Sequence, residues 1–391
     1  MDRFSNLQKL LEQFVSMDAG PSGCALSVTK DGESLFEGYC GCADAESGRP
    51  VGPDTLYRTY SCTKVVTAAA FMLLLERGLV QLDDPVSEYL PEFKDSLVCH
   101  YTGNNMESLR PARSPMRLKH LVTMTSGLTY DGDLNTTQRA VKAIITDVNR
   151  DGMPLREFAR RASRVPLRFE PGAGWNYGVS HDVLAAVIEV VSGKKFSEYL
   201  TDEFFTPLGM KDTSFFLRPD QEERLAVLYR YENGARVPNR EEEFKFRPTY
   251  QLESGGAGLL STLGDFSKFG EMLAMGGTYR GVRILGRKTI DLMRQNQLCP
   301  EALKDFRDTH KNGWEFMSGY GYGLGVKTLM NLAEANTAGT PGEFSWAGAA
   351  GTLLLADPEE RLSICYMHQL LPGNREGYCH PRIRNVVYGL L

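Results

Sequence analysis

Ser61 and Lys64 stand three residues apart in Tyr60-Ser61-Cys62-Thr63-Lys64. Residues three apart on a helix share a face, so the Lys64 amine can lie beside the Ser61 hydroxyl. A serine hydroxyl is a poor nucleophile until a base takes its proton. Lysine serves as that base when burial or a nearby cation pulls its pKa well below about 10.4. A helix N-terminus adds backbone N–H groups and a positive dipole end, which suit a developing oxyanion. The chemistry implied is attack of Ser61 on a carbonyl. Alone, the pair carries little weight, because serine is a common N-cap and the spacing recurs by chance.

The element that must carry this pair is a helix over 63–77, rich in Ala68-Ala69-Ala70 and Leu73-Leu74-Leu75, with Gly78 as its C-cap. Before it, Leu7, Leu10, Leu11, Phe14 and Val15 recur at helical spacing. Cys24 to Thr29 and Ser34 to Cys42 read as paired strands around a Lys30-Asp31-Gly32-Glu33 turn. From Gly78 to about residue 215 the strong signals are helical, at 116–123, 154–162, 181–191 and 196–205. Strand patterns return at 319–326, 351–357 and 362–367, and 381–391 reads as a closing helix. The glycines of 319–325 repeat every second residue, a strand signature and not a phosphate cradle.

This order predicts an α+β fold, an antiparallel sheet from both chain ends flanked by helices, with a mostly helical lobe between. The chain reads as one catalytic unit, 1–391. Its α/β lobe covers roughly 1–75 and 250–391, and its helical lobe roughly 76–249. The charged stretch 216–250 reads as a solvated face or loop.

Composition narrows the function classes. The 391 residues carry 44 basic and 49 acidic side chains, a formal net charge of -5. That gives no electrostatic reason to expect nucleic acid or an anionic membrane as partner. No apolar stretch is long enough to span a bilayer, and no signal-peptide pattern opens the sequence, so the expected location is cytoplasmic. The eight cysteines are scattered without a C-x-x-C pair, as expected of reduced thiols. His100, His120, His181, His310, His368 and His380 show no H-x-x-x-H spacing, so a zinc hydrolase has little support, and attack by Ser61 needs no cofactor. Ser126 and Ser180 read as turn or cap serines. There is no G-x-S-x-G elbow.

Further segments gather around the pair. They are 54–64, Leu74-Leu75-Glu76-Arg77-Gly78, Leu82-Asp83-Asp84-Pro85-Val86 and Tyr89-Leu90-Pro91, 118–128, Pro171-Gly172 through Tyr177 to Gly193, Pro207-Leu208-Gly209-Met210, 255–262, and Trp346-Ala347-Gly348-Ala349-Ala350-Gly351 with Asp357-Pro358-Glu359. In this order, across nearly the whole chain, they resemble the beta-lactamase-related serine hydrolases. That family includes class C beta-lactamases, penicillin-binding carboxypeptidases and beta-lactamase-like esterases. The resemblance implies a beta-lactamase/transpeptidase-like fold and an acyl-enzyme on Ser61, formed from a small-molecule acyl substrate. It makes Tyr177 a second basic group beside Lys64, without deciding which of the two is the base. It places the Trp346-Gly348 strand along the substrate, with the backbone N–H groups of Ser61 and Ala349 as oxyanion hole.

Two positions depart from the beta-lactamase pattern. Val179 replaces a polar residue two after the tyrosine, and Trp346 replaces a lysine or histidine. Val179 cannot donate a hydrogen bond and Trp346 carries no charge. Trp346, Gly348 and Val179 thus point to an apolar ester pocket more than to a beta-lactam carboxylate. The expected function is an esterase-like serine hydrolase. The alternatives are a beta-lactamase or D-amino-acid peptidase, an acyltransferase, or a non-catalytic ligand-binding relative.

Overall fold

The computed structural model describes residues 4–102, 105–309, 317–372 and 375–391. Its main sheet has eight strands, in the order Tyr320–Tyr322, Lys327–Leu329, Phe344–Ala347, Leu353–Asp357, Leu362–His368, Gly23–Lys30, Glu33–Asp44 and Arg49–Pro50. Every neighbouring pair is antiparallel. The two chain ends meet in the middle, where Cys24 pairs with His368 and Lys30 with Leu362.

Both faces of the central strands are buried, and the period-two alternation shows how. Leu26, Val28, Leu353, Leu355, Ile364 and Tyr366 face one core with Leu7, Leu11, Phe14 and Ile383. Those partners belong to the terminal helices Ser5–Ser16 and Glu376–Tyr388. Ala25, Leu354, Ala356, Cys365 and Met367 face the second core with Phe266, Phe269 and Met272 of the Leu263–Ala274 helix. Each fully buried Leu, Ile or Phe contributes about 1.5–3 kcal/mol of transfer free energy.

The second core continues into the helices of the middle of the chain. The Thr63–Glu76 helix is buried on all sides from Thr63 to Leu74, so it runs through the molecule and not along its surface. It packs against the Ser180–Ser192 helix. Helices at Leu118–Val122, Thr136–Asp151, Leu155–Ala162 and Phe196–Leu200 surround the pair. The turn after Phe196–Leu200 is a wider π turn, Thr201–Phe205.

The 319–326 run differs from expectation. Only Tyr320–Tyr322 is strand; a turn closed by Gly323 N–H on the Val326 carbonyl leads to Lys327–Leu329. Gly325 has φ of +79°, and a Cβ there would lie 2.4 Å from the Ala68 Cβ. Its glycine therefore lets the hairpin turn rest on the helix that carries Lys64. The middle of the chain, expected to be mostly helical, also holds a hairpin, Leu97–Thr102 with Asn105–Pro111. Among the described residues no helix is long and apolar enough to cross a membrane.

Candidate active site

Ser61 lies in the 3-10 turn Tyr60–Cys62, which runs directly into the Thr63–Glu76 helix. Tyr60 has φ of +43°, a left-handed conformation that a tyrosine adopts only where its surroundings enforce it. The enforcement is visible. The Leu56–Arg58 strand pairs with Leu260–Thr262, and Thr59 N–H donates to the Leu259 carbonyl at 2.9 Å. The Tyr60 ring is buried edge-on against Phe246.

Three threonines then staple the 255–259 loop along one helix face. The Thr59 hydroxyl donates to the Leu259 carbonyl, the Thr63 hydroxyl accepts from Leu259 N–H, and the Thr67 hydroxyl donates to the Gly255 carbonyl. Their i, i+4, i+8 spacing puts all three on the same side. The loop thereby turns the Gly256 carbonyl toward Lys64.

Lys64 is fully buried. Its Nζ donates to the Gly256 carbonyl at 2.6 Å, the Tyr130 hydroxyl at 2.8 Å and the Ser61 Oγ at 3.3 Å. It also lies 4.4 Å from the centre of the Tyr177 ring. Burial pushes its pKa down to about 7, against the opposing pull of Asp182. A substantial fraction of Lys64 is therefore free amine at neutral pH.

Tyr177 reaches the same serine. Burial raises its phenol well above the usual range, while hydrogen bonds with Ser61 and Trp346 act against that rise. The Trp346 indole N–H donates to the Tyr177 hydroxyl at 2.9 Å. Both rings belong to an aromatic cluster with Trp175 and Tyr322. Tyr130 and Tyr177 are 5.3 Å apart between ring centres. Their loops are locked together: the Ser126 and Ser180 hydroxyls lie 2.8 Å apart, Asn176 N–H donates to the Met124 carbonyl, and a Cβ on Gly178 would lie 2.6 Å from the Thr129 backbone.

On the opposite side, Gly348 ends the Phe344–Ala347 strand. A Cβ there would stand 2.3 Å from the Thr59 carbonyl oxygen, so glycine permits the strand end to abut the nucleophile turn. Gly348 N–H donates to the Thr352 carbonyl, and Gly351 N–H closes a tight turn on the Gly348 carbonyl. Ala349 lies exposed in that turn.

These groups open onto a cavity of about 360 Å³. Ser61, Tyr130, Tyr177, Val179, Asp182 and Ala349 line one part of it. Ile145, Phe158, Phe246, Tyr250 and Leu252 form an apolar wall, and Glu242 and Lys245 join them. Lys245 donates to both carboxylate oxygens of Glu242, at 2.9 and 2.7 Å.

Of the residues singled out in the sequence, Ser61, Lys64, Tyr177, Val179 and Ala349 therefore meet in one place. Lys64, Trp346 and Gly348 are not among the residues lining this cavity; Lys64 is buried behind Ser61 and Tyr130, Trp346 against Tyr177 and Gly348 against Thr59. Sequence reasoning missed Tyr130, although it follows 118–128 by two residues. It also missed Asp182, and it left 240–250 as a solvated loop where Phe246 and Tyr250 wall the cavity. His181 is fully buried, with Nε2 3.2 Å from the Val122 carbonyl. Burial and Lys64 hold it down to about 3, neutral and outside acid–base work at ordinary pH. His310 lies outside the described residues. Among the described residues no cluster of His, Cys, Asp and Glu is placed to hold a metal.

The Beta-lactamase family model matches residues 7–388. Esterase EstB from Burkholderia gladioli is 31% identical over 390 residues, covering 94% of this chain and 90% of its own. The solved structure of EstCE1, described as a hydrolase with promiscuous acyltransferase activity, superposes with a TM-score of 0.82 at 25% identity, covering 99% of this chain and 98% of that one. Unliganded Simvastatin Synthase (LovD) from Aspergillus terreus, at 23% identity, shares the fold with a TM-score of 0.80, covering 100% of this chain and 98% of that one. A serine, a desolvated lysine and a tyrosine at one cavity, on a fold matched from end to end, are thus the setting in which the chain belongs to the Beta-lactamase family.

Proposed function

We propose that the chain is an esterase-like serine hydrolase in which Ser61 is the nucleophile and Lys64 the general base. The observation that carries this is the Lys64 amine, fully buried and 3.3 Å from the Ser61 hydroxyl. With Lys64 near 7 and Tyr177 held as a phenol, the lysine is the group able to accept a proton at neutral pH. Ser61 Oγ attacks the ester carbonyl carbon and its proton passes to Lys64. The tetrahedral oxyanion rests on the backbone N–H groups of Ser61 and Ala349. Collapse breaks the bond to the alkoxide, which takes the proton back from Lys64 by relay through Tyr177 and leaves as an alcohol, so Lys64 is again the free amine. Water then repeats the sequence on the acyl-Ser61 ester and frees the acid.

The apolar wall and Val179 suit a neutral acyl or alcohol group better than a beta-lactam carboxylate, since Asp131, Asp182 and Glu242 also line the cavity. Acyl transfer to an alcohol is the second reading, favoured by the acyltransferase activity named for EstCE1. We place the protein in a reducing, cytoplasmic setting, which its eight free cysteines suit. The test is a panel of p-nitrophenyl esters and nitrocefin on the wild type and on Ser61→Ala. Ser61-dependent ester turnover supports the reading. Fast nitrocefin turnover without ester hydrolysis overturns the esterase assignment.

A further inference from the structure

Asp182 is a buried carboxylate that the chemistry above leaves unused. It sits in the first turn of the Ser180–Ser192 helix. Its Oδ1 accepts from the Ser254 hydroxyl at 2.5 Å and from Gly256 N–H at 3.2 Å. Gly256 is the same residue whose carbonyl accepts from Lys64 at 2.6 Å. The contact is close on every side. A Cβ on Gly256 would lie 2.8 Å from Asp182 Oδ2, and one on Gly255 2.5 Å from the His181 carbonyl.

The 254–256 turn is thus clamped between two helices. Thr67 holds Gly255 from the nucleophile helix, and Asp182 holds Ser254 and Gly256 from the other. We propose that Asp182 is a positioning residue for the reaction, fixing this turn so that the Gly256 carbonyl keeps the Lys64 amine beside Ser61. Its charge acts on the same amine. The groups facing Lys64 are Ser61 and Cys62 from its own segment, Tyr130, Tyr177, His181, Asp182 and the Gly256 carbonyl. Burial keeps His181 uncharged and holds Cys62 and both tyrosines protonated. Among these groups Asp182 is the one that supplies a negative charge, and it opposes the desolvation of Lys64. Burial pushes the Asp182 carboxyl up, and the Ser254 hydroxyl, Lys64 and Gly256 N–H act against that rise by stabilising its ionised form.

This inference rests on the roles given to Ser61 and Lys64, and the test separates the two. Asp182→Asn keeps the shape and an acceptor but removes the charge. Lys64 is then a weaker base with a lower pKa. The acid limb of the kcat/KM profile should move to lower pH, with kcat reduced about tenfold and KM little changed. Asp182→Ala also frees the turn and should cost about 10²-fold in kcat. Ser254→Ala retains the carboxylate and gives a smaller loss without the downward shift. Titration of Lys64 by NMR, in protein with 13C-labelled lysine, reads the coupling without any turnover. A lower Lys64 pKa in Asp182→Asn supports the proposal. An unchanged Lys64 titration in folded Asp182→Asn overturns it, even if kcat falls. A wild type that hydrolyses no ester overturns the nucleophile reading instead, and the titration still decides on Asp182. If Asp182→Ala does not fold, Asp182→Asn and Ser254→Ala carry the test.

Discussion

The Trp346 indole N–H donates to the Tyr177 hydroxyl across 2.9 Å. The residue that stands where beta-lactamases carry a cation therefore acts on the tyrosine. It fixes the direction of the hydroxyl that hydrogen-bonds Ser61 and assists the phenol in giving up a proton. Trp346→Phe keeps most of the ring packing and removes the donor. The expected result is a loss of about tenfold in kcat with KM within about twofold, measured on a p-nitrophenyl ester. A large rise in KM at constant kcat would instead make Trp346 a substrate contact.

A pH profile tests which group is the base. Lys64 must be neutral to take the Ser61 proton, and its pKa is held down to about 7. Activity is thus low where the amine is protonated and rises with pH through about 7. Measured kcat/KM should show a single acid limb there. A profile flat from about pH 5.5 to about 8.5, in a protein that stays folded over that range, would remove Lys64 from the role.

Tyr130 accepts a 2.8 Å hydrogen bond from Lys64, and an acceptor favours the charged amine. Tyr130→Phe removes the acceptor and leaves the ring beside Tyr177. The acid limb should shift to lower pH, with kcat falling about three- to tenfold because the amine is less firmly placed. The same variant with an unmoved limb and wild-type kcat would make Tyr130 a wall of the cavity only.

Glycine substitutions test the close approach of strand and nucleophile turn. Gly348→Ala places a Cβ 2.3 Å from the Thr59 carbonyl oxygen, a backbone atom that cannot step aside cheaply. It should lower stability by about 1–3 kcal/mol and displace Ser61, seen as a lower Tm and lost activity. Gly264 lies in the first turn of the Leu263–Ala274 helix, and a Cβ added there would meet nothing within 4 Å. Gly264→Ala should be neutral or stabilising by up to about 1 kcal/mol, the control for the first substitution.

The parts legible in the sequence were those with local patterns. The 7–15 periodicity, the 24–42 hairpin and the strand runs 351–357 and 362–367 are local patterns, and the structure forms a helix, a hairpin and paired strands there, the first of the two strands starting at Leu353. The serine and lysine were legible because three residues bring them together and a series of further motifs surrounds them in order; the spacing alone carried little weight. Tyr130 was not, because its place beside Lys64 depends on the Gly178–Thr129 packing, a contact between distant segments. The 216–250 stretch read as a solvated face or loop because of its charged runs, Glu222-Glu223-Arg224 and Glu241-Glu242-Glu243. Phe246 and Tyr250 nonetheless turn inward as cavity wall, while Glu242 and Lys245 neutralise each other at its edge. The 319–326 glycines gave the right type of element but the wrong length, since Gly325 serves a turn against Ala68.

The central claim is that Ser61 becomes acylated with Lys64 as its base. Its most direct test is mass spectrometry of the protein after reaction with a fluorophosphonate, with peptide mapping of the adduct. One adduct on Ser61 is predicted, absent in Ser61→Ala and formed at least about 10²-fold more slowly in Lys64→Met. No adduct in the folded wild type, or one on another serine, would contradict it.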